Sequence, residues 1–264
     1  MRTKIGVNGA CGRMGKRIIQ LAHEDMSLHI IAAIDSPYHP EQGSDAGTAS
    51  GIGKINVPIT PTIALDVHPE VMIDFSTPEG TMGVLKTCID RQIPLVVATT
   101  GFTNEQKQEI EAAAHHTALL MAPNMSLVVN VLFKLVRQAA TSLKDKGFDV
   151  EIIERHHRFK KDSPSGTALH FARIIQEAMG EMTMVHGREG NVGERSSREI
   201  GMHAVRSGDN VGEHTIIFST LGETMELVHK GHTRDAYVRG ALQAAKYLAT
   251  CHPGRYTMDD VLGL

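Results

Sequence analysis

Apolar positions in the first 125 residues recur with two alternating periods. TKIGVN (3–8) is a short, mostly apolar run that ends at a glycine-rich turn. RMGKRIIQLAHE (13–24) then places Met14, Ile18, Leu21 and Ala22 on one face of a helix. LHIIAAID (28–35) is a continuous apolar run, as a strand covered on both faces requires. The order repeats with VMIDFS (71–76), a Thr-Pro turn, a helix to about Asp90, and PLVVATTG (94–101). Thr103, with Gln106 three residues on, has the form of a capping box for NEQKQEIEAAAHH (104–116), and ALLMAP (118–123) is one more strand. Strand–helix–strand repetition predicts a Rossmann-like, doubly wound parallel sheet.

The pattern then changes. SLVVNVLFKLVRQAATSLK (126–144) reads as a long helix, FDVEIIERHH (148–157) as a strand, and SGTALHFARIIQEAMG (165–180) as a helix starting after a proline. Three strand-like runs follow, IGMHAVRSG, EHTIIFST and ETMELVHKG, joined by GDNVG and LGE. Both connections look like hairpin turns, which predicts antiparallel pairing. RDAYVRGALQAAKYLATC (234–251) is a last helix, stopped by His-Pro-Gly. The expected division is a dinucleotide-binding domain over 1–126 and 237–264, with the last helix packing back on it. A substrate-binding and oligomerisation domain of α+β type, with a mixed or antiparallel sheet, is expected over 127–236. The polar stretch from Gly187 to Arg198 is expected as a mobile loop.

Composition narrows the function. A formal net charge of −3 gives no electrostatic footprint for a nucleic acid. No apolar run approaches the length of a membrane span. The first residues enter a strand directly, with no secretory h-region, so a cytoplasmic location is expected. Cys11, Cys88 and Cys251 match neither a disulfide framework nor zinc-ligand spacing. His229 and His232 stand near each other, but no cysteine or carboxylate cluster joins them, so no metal is expected.

Gly9, Gly12 and Gly15 sit between the first strand and the first helix. A helix N-terminus approached closely by backbone is a ready pyrophosphate site. The spacing is G-x-x-G-x-x-G instead of G-x-G-x-x-G, and tight turns also use glycine for steric reasons alone. Context decides for a dinucleotide: the turn opens a βαβ unit, and Asp35 ends the second strand, about 20 residues beyond, where a ribose-binding acid belongs. Gly9, Gly12, Gly15 and Asp35 are therefore the candidate cofactor residues. A carboxylate accepts from a ribose 2′-OH and repels a 2′-phosphate, and Ser36 stands where an Arg could welcome one; this favours NADH. Lys16 and Arg17 nearby leave NADPH open. Thr99, Thr100 and Gly101, and Pro123, Asn124, Met125 and Ser126, follow later strands and are candidates for the nicotinamide half.

The densest chemistry lies in EIIERHHRFKKDSPSGTA (151–168). Ser165 is an N-cap by type, and Gly166 and Thr167 open a helix whose Ala168, Ala172, Ile175 and Met179 share a face. The same helix start is a place for a carboxylate. Strand alternation sends His156 and His157 to opposite faces. Lys160 lies within reach of the turn, and Lys161 is expected in solvent. A cationic rim beside a helix start, with a group titrating near neutrality, suits protonation of an anionic substrate after hydride transfer.

Taken with GACGRMG, DFSTPEG, ATTGF, APNMS and RSGDNVGEHTIIF followed by HKGHTRDAYVRGA, that segment resembles the dihydrodipicolinate reductase family along essentially the whole chain. The resemblance implies a homotetramer with hinged domains. It implies NADH- or NADPH-dependent reduction of a cyclic dicarboxylate imine in diaminopimelate and lysine biosynthesis. It implies His156 as proton donor assisted by Lys160; His157, Ser165, Gly166 and Thr167 around the substrate; and Gly9, Ala10, Cys11, Gly12, Arg13 and Met14 along the cofactor with Asp35 and the two later loops. Asp35-Ser36 departs from members that carry an acid followed by Arg, which bears on NADPH. The alternative is another NAD-dependent dehydrogenase of amino-acid metabolism. An acylating semialdehyde dehydrogenase would need a catalytic cysteine, which Cys11 in the turn and Cys88 in a helix do not offer.

Overall fold

In a computed structural model, which describes residues 2–264, the two periods become two sheets in two units. One unit is Met1–Leu127 with Asp235–Leu264, and the other is Val128–Arg234. The chain begins with β1 (Thr3–Asn8), α1 (Arg13–Glu24), β2 (Leu28–Ile34), α2 (Ala46–Ala49), β3 (Ile59–Thr60) and β4 (Val71–Asp74). It continues with α3 (Pro78–Asp90), β5 (Leu95–Val97), α4 (Asn104–Ala113) and β6 (Ala118–Met121). The second unit holds α5 (Leu127–Leu143), β7 (Asp149–His156), α6 (Gly166–Met179), β8 (Thr183–His186), β9 (Glu199–Arg206), β10 (Gly212–Thr220) and β11 (Glu223–Gly231). The chain returns to the first unit with α7 (Asp235–Leu248), β12 (Gly254–Tyr256) and α8 (Met258–Leu262).

The first sheet has the order β12-β6-β5-β4-β1-β2-β3, and its strand pairs are parallel. Its inner strands are mostly apolar because both faces are covered. Ile73, Val96 and Leu120 pack with side chains of α1 and α7, while Met72, Leu95, Val97 and Leu119 pack with those of α3 and α4. Gly240 lets α7 approach closely, since a Cβ there would stand 1.7 Å from the Met125 carbonyl oxygen. The strand order reverses between β1 and β4, the switch point at whose carboxyl ends ligands bind in such sheets. Asp74 holds those ends together. Fully buried, it accepts from Asn8 Nδ2 (2.7 Å), Ser76 Oγ (2.6 Å), Thr81 Oγ1 (2.6 Å) and Thr99 Oγ1 (2.7 Å).

The second sheet is mixed, with the order β11-β10-β7-β9-β8. Val150, Ile152, Ile200, Met202, Ile216 and Phe218 form its covered face and pack against α5 and α6. The expected hairpin across LGE is present, β10 with β11. The one across GDNVG is not: β7 lies between β9 and β10, parallel to the first and antiparallel to the second. A glycine-rich turn serves a hairpin and a connection that skips one strand equally well, so the local residues do not distinguish them. The unpredicted β8 adds to β9 in parallel. The stretch from Gly187 to Arg198, expected to be mobile, is tied to the sheet: Arg195 reaches Asp149 (2.7 Å) and Glu151 (3.0 Å), and Arg188 reaches Glu151 and Glu199.

Asp74→Ala removes the acceptor shared by four donors, of which Thr99 Oγ1 is left with none and the other three with longer bonds only. It should lower stability by roughly 2–4 kcal/mol in denaturant unfolding, whereas a change under about 0.5 kcal/mol would remove Asp74 as the tie.

Candidate active site

The first unit brings its candidates to the carboxyl ends of its strands. Gly9 has φ +79°, and a Cβ there would lie 2.5 Å from the Phe75 carbonyl oxygen. At Gly15 a Cβ would lie 2.0 Å from the Gly9 carbonyl oxygen, so the helix meets the strand more closely than any side chain permits. Gly12 is the N-cap of α1 and has no side chain to cap it. Arg13 and Met14 thus begin a helix whose N-terminal amides are left to a ligand, as an anion cradle requires. Asp35 follows β2 and turns back to the cradle: Oδ2 accepts the Cys11 N–H (2.7 Å) and Oδ1 the Ser36 N–H (2.8 Å). These residues fit a dinucleotide, because no side chain caps the amides at the start of α1 and the carboxylate retains further lone pairs.

Thr99 is buried and bonds Asp74, whereas Thr100 and Gly101 (φ +90°) are exposed beyond β5. Beyond β6, Asn124 Oδ1 accepts the Ser126 N–H (2.8 Å) and shapes the turn of Pro123 to Ser126, with Met125 buried beneath. A cavity of about 160 Å³ opens beside Asn8 and Asp35, lined by Ile34, Pro37, Ile63 and Val84. Its position beside the ribose candidate and its apolar walls suit a flat base. Sequence spacing does not reveal it, because its walls come from the ends of β1 and β2, the segments after β2 and β3, and α3.

In the second unit the register places a polar row where the apolar face of the sheet ends. Glu154 on β7 stands opposite His214 on β10, and His214 opposite His229 on β11, while His156 stands opposite Arg206 on β9. Glu154, 1% exposed, is the centre of the row. Its Oε2 accepts from His156 Nδ1 (2.6 Å) and Arg206 Nη1 (2.8 Å). Its Oε1 accepts from Arg206 Nη2 (2.7 Å) and the Ser165 N–H (2.9 Å). Burial alone would raise the Glu154 carboxyl, but the His156, Arg206 and Ser165 hydrogen bonds outweigh it and bring it down to about 2. Glu154 is therefore an ionised acceptor, so the His156 proton at this contact sits on Nδ1 and Nε2 is left for chemistry.

The other predicted residues surround this histidine. Ser165 is turned inward and buried; its hydroxyl caps α6 at Ala168 N (3.2 Å) and meets His214 Nε2 (3.3 Å). Gly166 and Thr167 begin α6, and Gly166 is exposed with open space where a Cβ would be. His157 is half-buried with its ring 6.2 Å from that of Phe159. Lys160 holds both oxygens of Asp162 (2.8 and 2.9 Å), and Lys161 is exposed. Glu154, Arg206, His214 and His229 join the site without being marked by any motif in the sequence. Glu154 had a signal: two residues before His156 on a strand, it must share its face.

Comparisons with known proteins agree across the chain. Residues 3–125 match the family model described as "Dihydrodipicolinate reductase, N-terminus", and residues 128–262 the one described as "Dihydrodipicolinate reductase, C-terminus". A 4-hydroxy-tetrahydrodipicolinate reductase of Rhodopirellula baltica is 46% identical, over 98% of this chain and 95% of its own. One from Methanothermobacter thermautotrophicus is 42% identical over 99% of both. Among solved structures, a dipicolinate-bound dihydrodipicolinate reductase from Paenisporosarcina sp. TG-14 shares the fold. Its TM-score is 0.76 at 23% identity, over 97% of this chain and 98% of that one.

His214 is buried, and burial first, then the His156 and His229 rings, push its protonation from the ordinary 6.5 down to about 3. Between those values the unfolded chain binds a proton that the folded one refuses, so stability falls as pH drops below about 6.5. Glu154 adds its own loss only from about pH 4.5 downward, the usual carboxylate range. His214→Phe should therefore flatten the fall of Tm between pH 7 and 5. An unchanged slope would mean that His214 does not enter the fold uncharged.

Proposed function

This chain belongs to the dihydrodipicolinate reductase family, and on that premise we propose that His156 is the proton donor of its reaction, oriented by Glu154. The reaction is the NAD(P)H-dependent reduction of 4-hydroxy-tetrahydrodipicolinate to tetrahydrodipicolinate in diaminopimelate and lysine biosynthesis. Bound NADH or NADPH supplies the hydride. The turn from Gly9 to Met14 would hold the pyrophosphate, Asp35 a ribose, and the cavity beside Ile34 and Val84 the adenine. Thr99 to Gly101 and Pro123 to Ser126 would line the nicotinamide. NADH is the preferred cofactor on this reading, because the Asp35 carboxylate repels a 2′-phosphate and Ser36 brings no compensating cation.

The substrate is a small dicarboxylate. Hydride addition at one end of a conjugated imine leaves an electron-rich, enamine-like carbon at the other. His156 Nε2 delivers the proton to that carbon, while Glu154 holds the ring and balances the imidazolium before the transfer. The observation that carries the proposal is the 2.6 Å contact from His156 Nδ1 to a buried carboxylate. Gly166 and Thr167 at the start of α6 receive one substrate carboxylate, with Lys160 released from Asp162 to pair with it. His157 contributes to the pocket for the other. Ser165 acts from beneath by fixing the helix start. The assembly on this reading is a homotetramer built through the uncovered face of the five-stranded sheet, where Val205 and Val228 are 40% and 47% exposed.

His156→Gln should lower kcat by about 10²–10⁴-fold and leave NADH binding, followed by nicotinamide fluorescence, as it was. Unchanged turnover would remove His156 from the mechanism. Asp35→Ala should weaken NADH more than NADPH; if the two affinities keep their ratio, Asp35 is not at the ribose.

A further inference from the structure

Beside the glycine cradle, three side chains of different chemistry converge on one point. The Cys11 sulfur, a ligating nitrogen of His39 and a Glu41 carboxylate oxygen lie within 4.8 Å of one another. Glu41 uses Oε1 for Lys16 Nζ at 2.7 Å, while its Oε2 is buried, stands 4.0 Å from His39 Nδ1 and has only the weak Cys11 thiol donor beside it. His39 Nδ1 accepts the Glu41 N–H (3.2 Å), so the neutral ring carries its lone pair there. The cluster can be entered from solvent, since the His39 and Glu41 side chains are 35% and 33% exposed.

A buried carboxylate oxygen with only a thiol donor, beside an imidazole, is under-satisfied. Lys16 satisfies only one of the three groups. Sulfur, nitrogen and one carboxylate oxygen make a zinc-type donor set, unlike the all-oxygen sets of Mg²⁺ or Ca²⁺. Tetrahedral coordination at about 2.0–2.3 Å needs the three donors to close by roughly an ångström, with water as fourth ligand.

We propose that Cys11, His39 and Glu41 form a site for one thiophilic divalent transition-metal ion of the zinc type, and that this ion and the dinucleotide exclude one another. On binding, the thiol proton leaves to solvent as the metal–sulfur bond forms, with no change of oxidation state. Exclusion rests on the cofactor reading above, because Cys11 lies in the cradle and gives its N–H to Asp35. The metal site itself does not rest on it.

The test titrates the full chain, reduced and free of cofactor, with Co²⁺ and then Zn²⁺. One equivalent of Co²⁺ should give a thiolate-to-cobalt charge-transfer band that Zn²⁺ abolishes. Cys11→Ser should lose the band. His39→Ala and Glu41→Gln should each weaken binding by about tenfold or more, with folding checked by circular dichroism. Lys16→Met should tighten it by removing the competing cation, an effect that damage to the fold cannot mimic. No band, or a band indifferent to both His39→Ala and Glu41→Gln, overturns the site. NADH should remove the band from cobalt-loaded protein. A band that survives an NADH concentration saturating the metal-free chain overturns exclusion alone. Absence of NADH binding to the metal-free chain overturns the cofactor reading and exclusion with it, and leaves the metal result to stand or fall separately.

Discussion

One buried carboxylate organises the second unit. Glu154 lies where the covered face of the sheet passes from Ile152 and Val150 to histidines, and it is almost wholly removed from water. A lone charge there would cost several kcal/mol, so it persists only because donors surround it. Those donors come from three elements: the next turn of its own strand (His156), the neighbouring strand (Arg206) and the N-cap of α6 (Ser165). Satisfying one charge therefore aligns β7 with β9, fixes where α6 begins and sets which imidazole nitrogen faces outward. The positions of Gly166 and Thr167 follow from the same bond through Ser165.

The first unit solves a like problem without a cation. Asp74 is surrounded by an amide and three hydroxyls from β1, α3 and the segments after β4 and β5. It fastens the strand ends on both sides of the switch point, from which the glycine cradle and the loop after Thr99 leave the sheet. In both units apolar strands end at a saturated carboxylate, and the candidate residues are those just past it. The two sets of candidate residues thus rest on separate supports, each with its own core.

Much of this was legible along the chain. The bounds of β1 and α1, the capping box at Thr103 and the Ser165 cap depend on neighbours in sequence, and they stand as the residues imply. The insertion of β7 between β9 and β10 was not legible. It is decided by which strand fills which edge, a choice that GDNVG does not encode. Nor were Arg206 and His214, which meet Glu154 and His156 only through register, or His229, which meets His214 in the same way. The charged stretch around His156 looked like a rim around a helix start, with the acid unaccounted for. Its meaning changes once Glu154 stands beneath it, because the histidine is then a ring held at one nitrogen.

That claim has a direct measurement. Nitrogen-15 NMR of the His156 ring, assigned by its loss in a variant lacking it, reports which nitrogen carries the proton as pH is varied. If Glu154 orients the donor, Nδ1 stays protonated throughout and Nε2 alone gains and loses a proton. A neutral His156 ring protonated on Nε2, with Nδ1 bare toward Glu154, would contradict the account.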